Sequence, residues 1–236
     1  MDYTEYKEGV SASNFWFCGK RDLINRLLAT HVGFGRNVKI LNIGSGTGED
    51  LEVIARYGKI YVIDISQEAI SVVPEKLCVE KRVADACNLP YKDEFFDYVI
   101  SFDVFEHIED DVKSVSEVHR VLKKSGMLIF TVPAFKVLFS SHDKHLGHYR
   151  RYSKGMLRRL LHNFYGLRMN YWNAFMFPPI ALLRLMKKNS KPELDYIRIP
   201  ALVNSLGYNL LKFENSIIEK NIPLPMGLSI VGYCRK

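Results

Sequence analysis

Two stretches of this chain gather the residue types that do chemistry. The first is Gly44-Ser45-Gly46-Thr47-Gly48, which directly follows the apolar, β-branched run from Val38 to Ile43. A strand that ends in glycines and feeds a helix is a nucleotide cradle, because the missing side chains let backbone N–H groups approach a ligand closely. A second strand, Tyr61-Val62-Ile63-Asp64, ends in an acid 16 residues past Gly48, where a carboxylate can accept both hydroxyls of a ribose. The spacing is not that of a dinucleotide fingerprint, whose third glycine would fall on Glu49. The second stretch runs from Ser140 to Ser153 and holds His142, Asp143, His145 and His148, then Arg150, Arg151 and Tyr152. The imidazoles His142, His145 and His148 are candidate catalytic groups, since a histidine titrates near neutrality and can take a proton from an acceptor. Arg150, Arg151 and Tyr152 are candidates to hold a phosphate or carboxylate. Two alternatives stand beside that reading. The loop folds on itself, with Asp143 pairing Arg150 or Arg151, or H-D-x-H-x-x-H offers metal ligands at helical spacing.

The elements that must position these residues follow in βα order. Strands are expected at 38–43, 59–64, 79–83, 95–102, 127–133, 167–172 and 228–234. Helices are expected at 49–57, from Gln67 to near Pro74 with Ser66 as its cap, at 112–121, and at 154–163 with Ser153 as its cap. Lys123, Lys124 and Gly126 read as the C-terminal signal of the helix at 112–121. Before the first strand, apolar residues at 23, 24, 27 and 28 with charges between them give an amphipathic helix. The strand at 79–83 delivers Asp85-Ala86, and the strand at 95–102 opens onto Asp103-Val104-Phe105-Glu106-His107-Ile108. His107 reads first as a packing residue, and so does Trp16. Residues 174–227 look like an insertion before the last strand. The apolar stretch 174–186 is broken by Pro178 and Pro179 and followed by Lys187, Lys188 and Lys191, and a second amphipathic helix spans 201–220. Apolar residues beside cations suit an interfacial anchor on an anionic membrane through 174–191; the rival readings are a cap over the substrate pocket or a dimer surface.

The totals set bounds. A chain of 236 residues, 47% hydrophobic and 25% charged, is one large domain with a sizeable core. Its four cysteines (Cys18, Cys78, Cys87, Cys234) form no C-x-x-C pair, which argues for a reduced, cytoplasmic setting and against a disulfide frame or zinc site. The acidic N-terminus does not read as a signal peptide, and no apolar run reaches the ~20 residues that span a bilayer. The net charge of +7 is uneven: residues 1–119 hold 13 Lys/Arg against 21 Asp/Glu, whereas 120–198 hold 16 against 3. The cofactor half is acidic, and the basic block points to an anionic partner or a solvated helix face.

With these pieces in place, the chain resembles the type-11 class I S-adenosylmethionine (SAM) methyltransferases over nearly its whole length. The resemblance rests on F-W-F-x-G-K-R (15–21), the glycine motif, F-D-Y-V-I-S followed by D-V-F-E-H-I, T-V-P-A-F (131–135), H-D-K-H-L-G-H-Y-R-R-Y-S (142–153), N-A-F-M-F-P-P (173–179) and P-L-P-M-G-L-S (223–229). Asn42 and Ser45 stand where the commonest form of the glycine motif has Asp and Cys. The resemblance implies a Rossmann-like, doubly wound α/β fold, seven-stranded and mostly parallel with an antiparallel last strand. It implies a single domain over 1–236, comprising an N-terminal helical lid (1–35), a SAM-binding core (36–135), a substrate-side loop, helix and strand (136–173), a helical insertion (174–227) and a last strand (228–236). SAM is the implied cofactor and S-adenosylhomocysteine its product. The implied cofactor contacts are Gly44, Ser45, Gly46, Gly48, Asp64, Ile65, Asp85, Ala86 and Phe102. The expected reaction is methyl transfer to an anionic acceptor, small or lipid-linked or a glycan, with oxygen favoured. No metal is expected, because displacement at a sulfonium needs none. Two other readings stay open: a membrane-peripheral binding protein that keeps the fold, and an NAD- or nucleotide-sugar-dependent enzyme. Nucleic acid is disfavoured as a partner, for the chain has neither an N-P-P-Y nor a D-P-P-Y tetrad and no aromatic stacking platform. Oligomeric state is not readable from the sequence.

Overall fold

The computed structural model describes residues 14–35, 37–186 and 199–236. Seven strands form one sheet in the order β3-β2-β1-β4-β5-β7-β6. They are β1 (Lys39–Ile43), β2 (Lys59–Asp64), β3 (Glu80–Val83), β4 (Phe96–Phe102), β5 (Leu122–Pro133), β6 (Tyr165–Trp172) and β7 (Ser229–Arg235). Strands β3 to β5 pair in parallel, and β7 inserts antiparallel to both β5 and β6. The expected fold class is the one observed, down to the reversed last strand.

Side-chain alternation along the strands builds two cores. Leu41, Ile43, Val99, Leu128 and Phe130 face one layer of helices, where Val115 and Val118 of α4 (Asp111–Val121) and Leu157 of α6 (Lys154–Leu160) meet them. Ile40, Val62, Ile100 and Ile129 face the other, against Leu23, Ile24, Leu27 and Leu28 of α1 (Phe15–His31) and Ile218 of α8 (Ala201–Glu219). The short helices α2 (Leu51–Ile54) and α3 (Gln67–Val72) follow β1 and β2. Beyond β5 lie α5 (Ser141–His145) and, after β6, α7 (Phe177–Met186).

Helix α1 is therefore a layer of the fold as well as the start of a cavity wall. It packs on α8 at a distance only glycine allows: a Cβ on Gly19 would lie 2.5 Å from Leu211 Cδ1. Asn215 of α8 ties the pair to the sheet, accepting from Trp172 Nε1 (2.9 Å) and donating to Gly19 O and Asp22 Oδ2 (2.9 Å each). Helix α8, which belongs to the segment read as an insertion, lies in the same layer.

Four element boundaries differ from expectation, each for a local reason. The helix after the cradle covers only Leu51–Ile54, because the turn through Gly48 (φ +84°) occupies the preceding residues. Helix α4 ends at Val121, where Leu122 turns extended (ψ 137°), so β5 starts five residues early. Lys123 then reaches across the strand irregularity to Asp97 (2.7 Å) instead of closing the helix. Helix α6 stops at Leu160, and β6 begins at Tyr165 with Gly166 (φ +64°) making a bulge. Ser66 and Ser153 cap their helices as expected, accepting from Ala69 N (3.1 Å) and Met156 N (3.2 Å).

Candidate active site

A cleft of about 450 Å³ lies at the C-terminal ends of the central strands, where open α/β sheets bind ligands. Gly44, Ser45, Gly46 and Thr47 form one wall, joined by Phe102 at the end of β4. Trp16, Phe17 and Lys20 enter from α1, and Ile180 and Arg184 from α7. Glu106, His107, His142, His148 and Arg151 complete the far side. A larger cavity of about 520 Å³ between α1, α8 and β6 includes none of these residues.

The cradle is held open by its own partners. Gly44 (φ +66°) lies against Val104, whose Cγ2 would be 2.4 Å from any Cβ there. Gly46 (φ +52°) faces space that holds no atom within 4 Å of a built Cβ, the room a closely approaching ligand needs. The Asp64 carboxylate accepts from Gly46 N (2.8 Å) and Ser66 N (3.0 Å). Each of its oxygens keeps a further lone pair for a hydroxyl. Ile65 is 76% exposed beside it, an apolar shelf unusual for an isoleucine. Asp85 is exposed, its Oδ1 accepting from Cys87 N (2.8 Å), and Ala86 is buried behind it. Gly48, Asp64, Ile65, Asp85 and Ala86 are not among the residues that line the cleft itself. Ribose acceptor, apolar shelf and exposed acid suit an adenosine, so these residues fit SAM.

The other half of the cleft is a buried ionic assembly. Asp143 is fully buried and holds four partners. Arg151 meets its Oδ1 through Nε (2.7 Å), Arg184 its Oδ2 (3.3 Å), His148 Nδ1 its Oδ1 (3.1 Å), and Ser140 N donates to Oδ2 (2.9 Å) in a capping box. Burial opposes that charge, but the His148 and Arg151 bonds outweigh it and hold the carboxyl below its usual range. Arg184 is pushed down to about 10 by burial and by Arg151. His142 is pushed to about 4 by burial and then by Arg184, so its ring is neutral at pH 7. His107 is likewise held at about 4, by burial and by His148, whose ring it meets edge-on at 4.5 Å.

Lys20 bridges the two halves, 3.1 Å from Asp103 and 3.7 Å from Asp50. Burial would lower its pKa, but Asp103 and Asp50 overcome that and keep the ammonium charged. Asp103 adopts φ +57° directly after β4 and also accepts from Thr131 Oγ1 (2.9 Å). Phe135 (φ +61°) and Asn173 (φ +62°) repeat that uncommon conformation after β5 and β6. Strain of this kind costs of order 1–3 kcal/mol per residue and clusters where a site must be shaped.

The sequence-predicted residues separate clearly. His142, His148 and Arg151 line the cleft; His145 is exposed and lies outside its lining. Arg150 turns away to Asp111 (2.8 Å) and to Glu109 O (2.6 Å). Tyr152 is buried, its hydroxyl donating to Asp111 Oδ2 (2.8 Å) or to Phe105 O (3.1 Å). The loop does fold on itself through Asp143, and the partner is Arg151. Helical spacing does not gather His142, Asp143, His145 and His148 round one point. Lys20, Asp103, Glu106 and Arg184 went unassigned in the sequence. The one available signal was a lone arginine in the apolar 174–186 stretch, since charge in an apolar run is costly without a partner.

Residues 41–130 match the family model described as a methyltransferase domain. A protein of Mycolicibacterium smegmatis described as a probable SAM-dependent methyltransferase is 31% identical over 127 residues, covering 53% of this chain and 48% of its own length. The demethylmenaquinone methyltransferase of Staphylococcus aureus is 28% identical over 127 residues, covering 48% of this chain and 53% of its own. The chain thus spans about half the length of the curated relatives it matches. A SAM-dependent methyltransferase from Archaeoglobus fulgidus superposes with a TM-score of 0.57 at 18% identity, over 92% of this chain and 94% of that one, a likeness of fold. Residues 41–130 thus match a methyltransferase domain, set in a fold that a solved SAM-dependent methyltransferase shares.

Proposed function

We propose that this chain transfers a methyl group from SAM to an oxygen of an anionic acceptor held in the far half of the cleft. The observation that carries the reading is a single cleft with the glycine cradle on one wall and His148, Arg151 and Arg184 on the other. Gly44–Gly48 and Asp64 would hold the cofactor, with Ile65, Asp85, Ala86 and Phe102 round its adenosine. Bound SAM supplies an electrophilic methyl on a sulfonium, whose departure as a neutral thioether needs no acid. The chain's own work is to hold the acceptor in line with that methyl and to exclude water. An attacking hydroxyl must lose its proton as the C–O bond forms. His148, with Nδ1 on Asp143, has Nε2 as its free nitrogen and is the group we assign to that oxygen; His142, neutral in the same wall, is the second candidate. His145 has no such position. Arg184 is the best-placed anion holder, because a single 3.3 Å contact with Asp143 leaves most of its five donors unused. Arg151 sets Asp143, and Arg150 and Tyr152 set the loop.

A lipid-linked acceptor is favoured over a small soluble one by α7. Ile180 and Arg184 of that helix face the cleft, while Leu182, Leu183, Leu185 and Met186 are exposed. The same helix would then seat an apolar chain outside and an anionic group within. No helix among the described residues is long and apolar enough to cross a membrane. Lys187, Lys188 and Lys191 of the expected anchor lie outside the described residues. The test is transfer of label from methyl-labelled SAM into a source-cell extract, separated into lipid, water-soluble and macromolecular fractions. Label in the lipid fraction, lost with Arg184→Met, supports the reading. Label confined to the soluble fraction makes α7 a pocket cap, and no transfer to any fraction removes the reading.

A further inference from the structure

We propose that Glu106, His107 and His148 form a binding site for a divalent first-row transition-metal ion in the acceptor half of the cleft. Each of the three offers a ligand atom, and these atoms lie within 4.8 Å of one another. Two imidazoles and a carboxylate on one point are a donor set for zinc, cobalt, iron or manganese, whereas magnesium and calcium prefer all-oxygen shells.

Three observations set this cluster apart from a chance grouping. First, Glu106 is 1% exposed, yet its Oε2 accepts no hydrogen bond. A buried carboxylate oxygen without a donor costs free energy unless a cation or proton meets it. Tyr149 N and Tyr152 OH bond the main-chain carbonyls of Glu106 and Phe105, which fixes this turn and leaves the Glu106 side chain directed elsewhere. Second, His148 has the arrangement of a metal-binding imidazole. Its Nδ1 bonds Asp143, which leaves Nε2 as the free donor, and Asp143 is itself fixed by Arg151 and Ser140. A carboxylate behind a histidine fixes the tautomer and orients the ring toward an ion. Third, the three ligands come from two segments, the turn after β4 and the loop after α5, and all three line the same cleft.

The inference rests on the proposed reading for its consequence. An ion there would hold the acceptor's oxygen and lower the pKa of a bound hydroxyl, with His148 acting through the ion and not on the proton directly. It also revises the sequence expectation of no metal, and moves the ligands from the H-D-x-H-x-x-H run to a set that only the fold assembles.

The test is calorimetric titration of chelator-treated wild-type protein with ZnCl2, repeated with CoCl2 under visible spectroscopy. Each sample is also titrated with S-adenosylhomocysteine. One ion per chain is expected, with cobalt d–d bands shifted and intensified relative to those of the aquo ion as imidazole nitrogens replace water. Glu106→Gln and His107→Gln are each expected to weaken ion binding at least ~30-fold while S-adenosylhomocysteine affinity stays unchanged. Glu106→Gln keeps the shape of the buried side chain, and His107 is exposed enough to be replaced without a cavity, so at least one variant reports on a folded chain. Sub-stoichiometric binding by the wild type, or equal affinity in a folded variant, overturns the site while leaving the methyltransferase reading standing. Loss of S-adenosylhomocysteine binding by the wild type would strike that reading instead.

Discussion

The two walls of the cleft are built in opposite ways. The wall proposed for the cofactor comes from consecutive residues: Gly44 to Thr47 line the cleft directly after β1, and Asp64, ending the neighbouring strand, accepts from Gly46 N at 2.8 Å behind them. Its polar groups are backbone amides and one half-exposed carboxylate. The acceptor wall draws Lys20 from α1, Glu106 from the turn after β4, Asp143, His148 and Arg151 from the loop after β5, and Arg184 from α7. Its polar groups are mostly buried, with Asp143 at the centre paired to Arg151, Arg184 and His148. The difference teaches which function a substitution disturbs. A change in the first wall removes a ligand contact and leaves the fold; a change in the second strands a charge in low dielectric and costs stability before it costs chemistry.

The sharpest way to break that distinction is Asp143→Ala. It leaves the Arg151 guanidinium, 4% exposed, without its carboxylate. Unfolding in urea is expected to show a loss of about 3–5 kcal/mol. A loss below about 1 kcal/mol would mean the assembly is not structural. A smaller effect comes from pH. His142 is held at about 4 in the folded chain, against 6.5 for the ordinary imidazole. Between those values the unfolded chain binds a proton that the folded one refuses, so this contribution is full above pH 6.5 and is lost as pH falls toward 4. His142→Gln should flatten the fall of melting temperature across that window, and an unchanged slope would place the origin elsewhere. The smallest effect is expected for Tyr152→Phe. Its buried hydroxyl donates to Asp111 Oδ2 (2.8 Å) or to Phe105 O, and its loss should cost about 1–2 kcal/mol. S-adenosylhomocysteine affinity should remain at the wild-type value in calorimetry, since Tyr152 lies on the loop side of the comparison.

Legibility in the sequence follows the same line. The parallel core was readable because β1, β2 and β4 are short apolar runs closed by a glycine or an acid, at Gly44, Asp64 and Asp103. The antiparallel direction of β7 came from the family resemblance, which the residues at 228–234 only fit. Start of β5 was not, since Lys123 and Lys124 look like helix-ending cations until Asp97 is seen to claim Lys123. Cradle residues were legible as a local motif. His148 and Arg151 were legible as chemistry-bearing types, but spacing could not distinguish them from His145 and Arg150, which point to solvent and to Asp111. Arg184 could not be assigned because its partner, Asp143, lies 41 residues away, and Glu106 because His148, beside it in the fold, lies 42 residues away in the chain. Contacts of that range are set by topology and leave no periodic trace.

The measurement that tests the central claim most directly is calorimetric titration of S-adenosylhomocysteine into the wild type and Asp64→Ala, with melting temperatures taken on the same samples. The wild type should bind one equivalent. Asp64→Ala should bind at least ~100-fold more weakly, about 2.7 kcal/mol, while melting within a few degrees of the wild type. Equal affinity in the two proteins, or no binding by a folded wild type, would contradict the placement of SAM in the Gly44–Asp64 cradle and the function drawn from it.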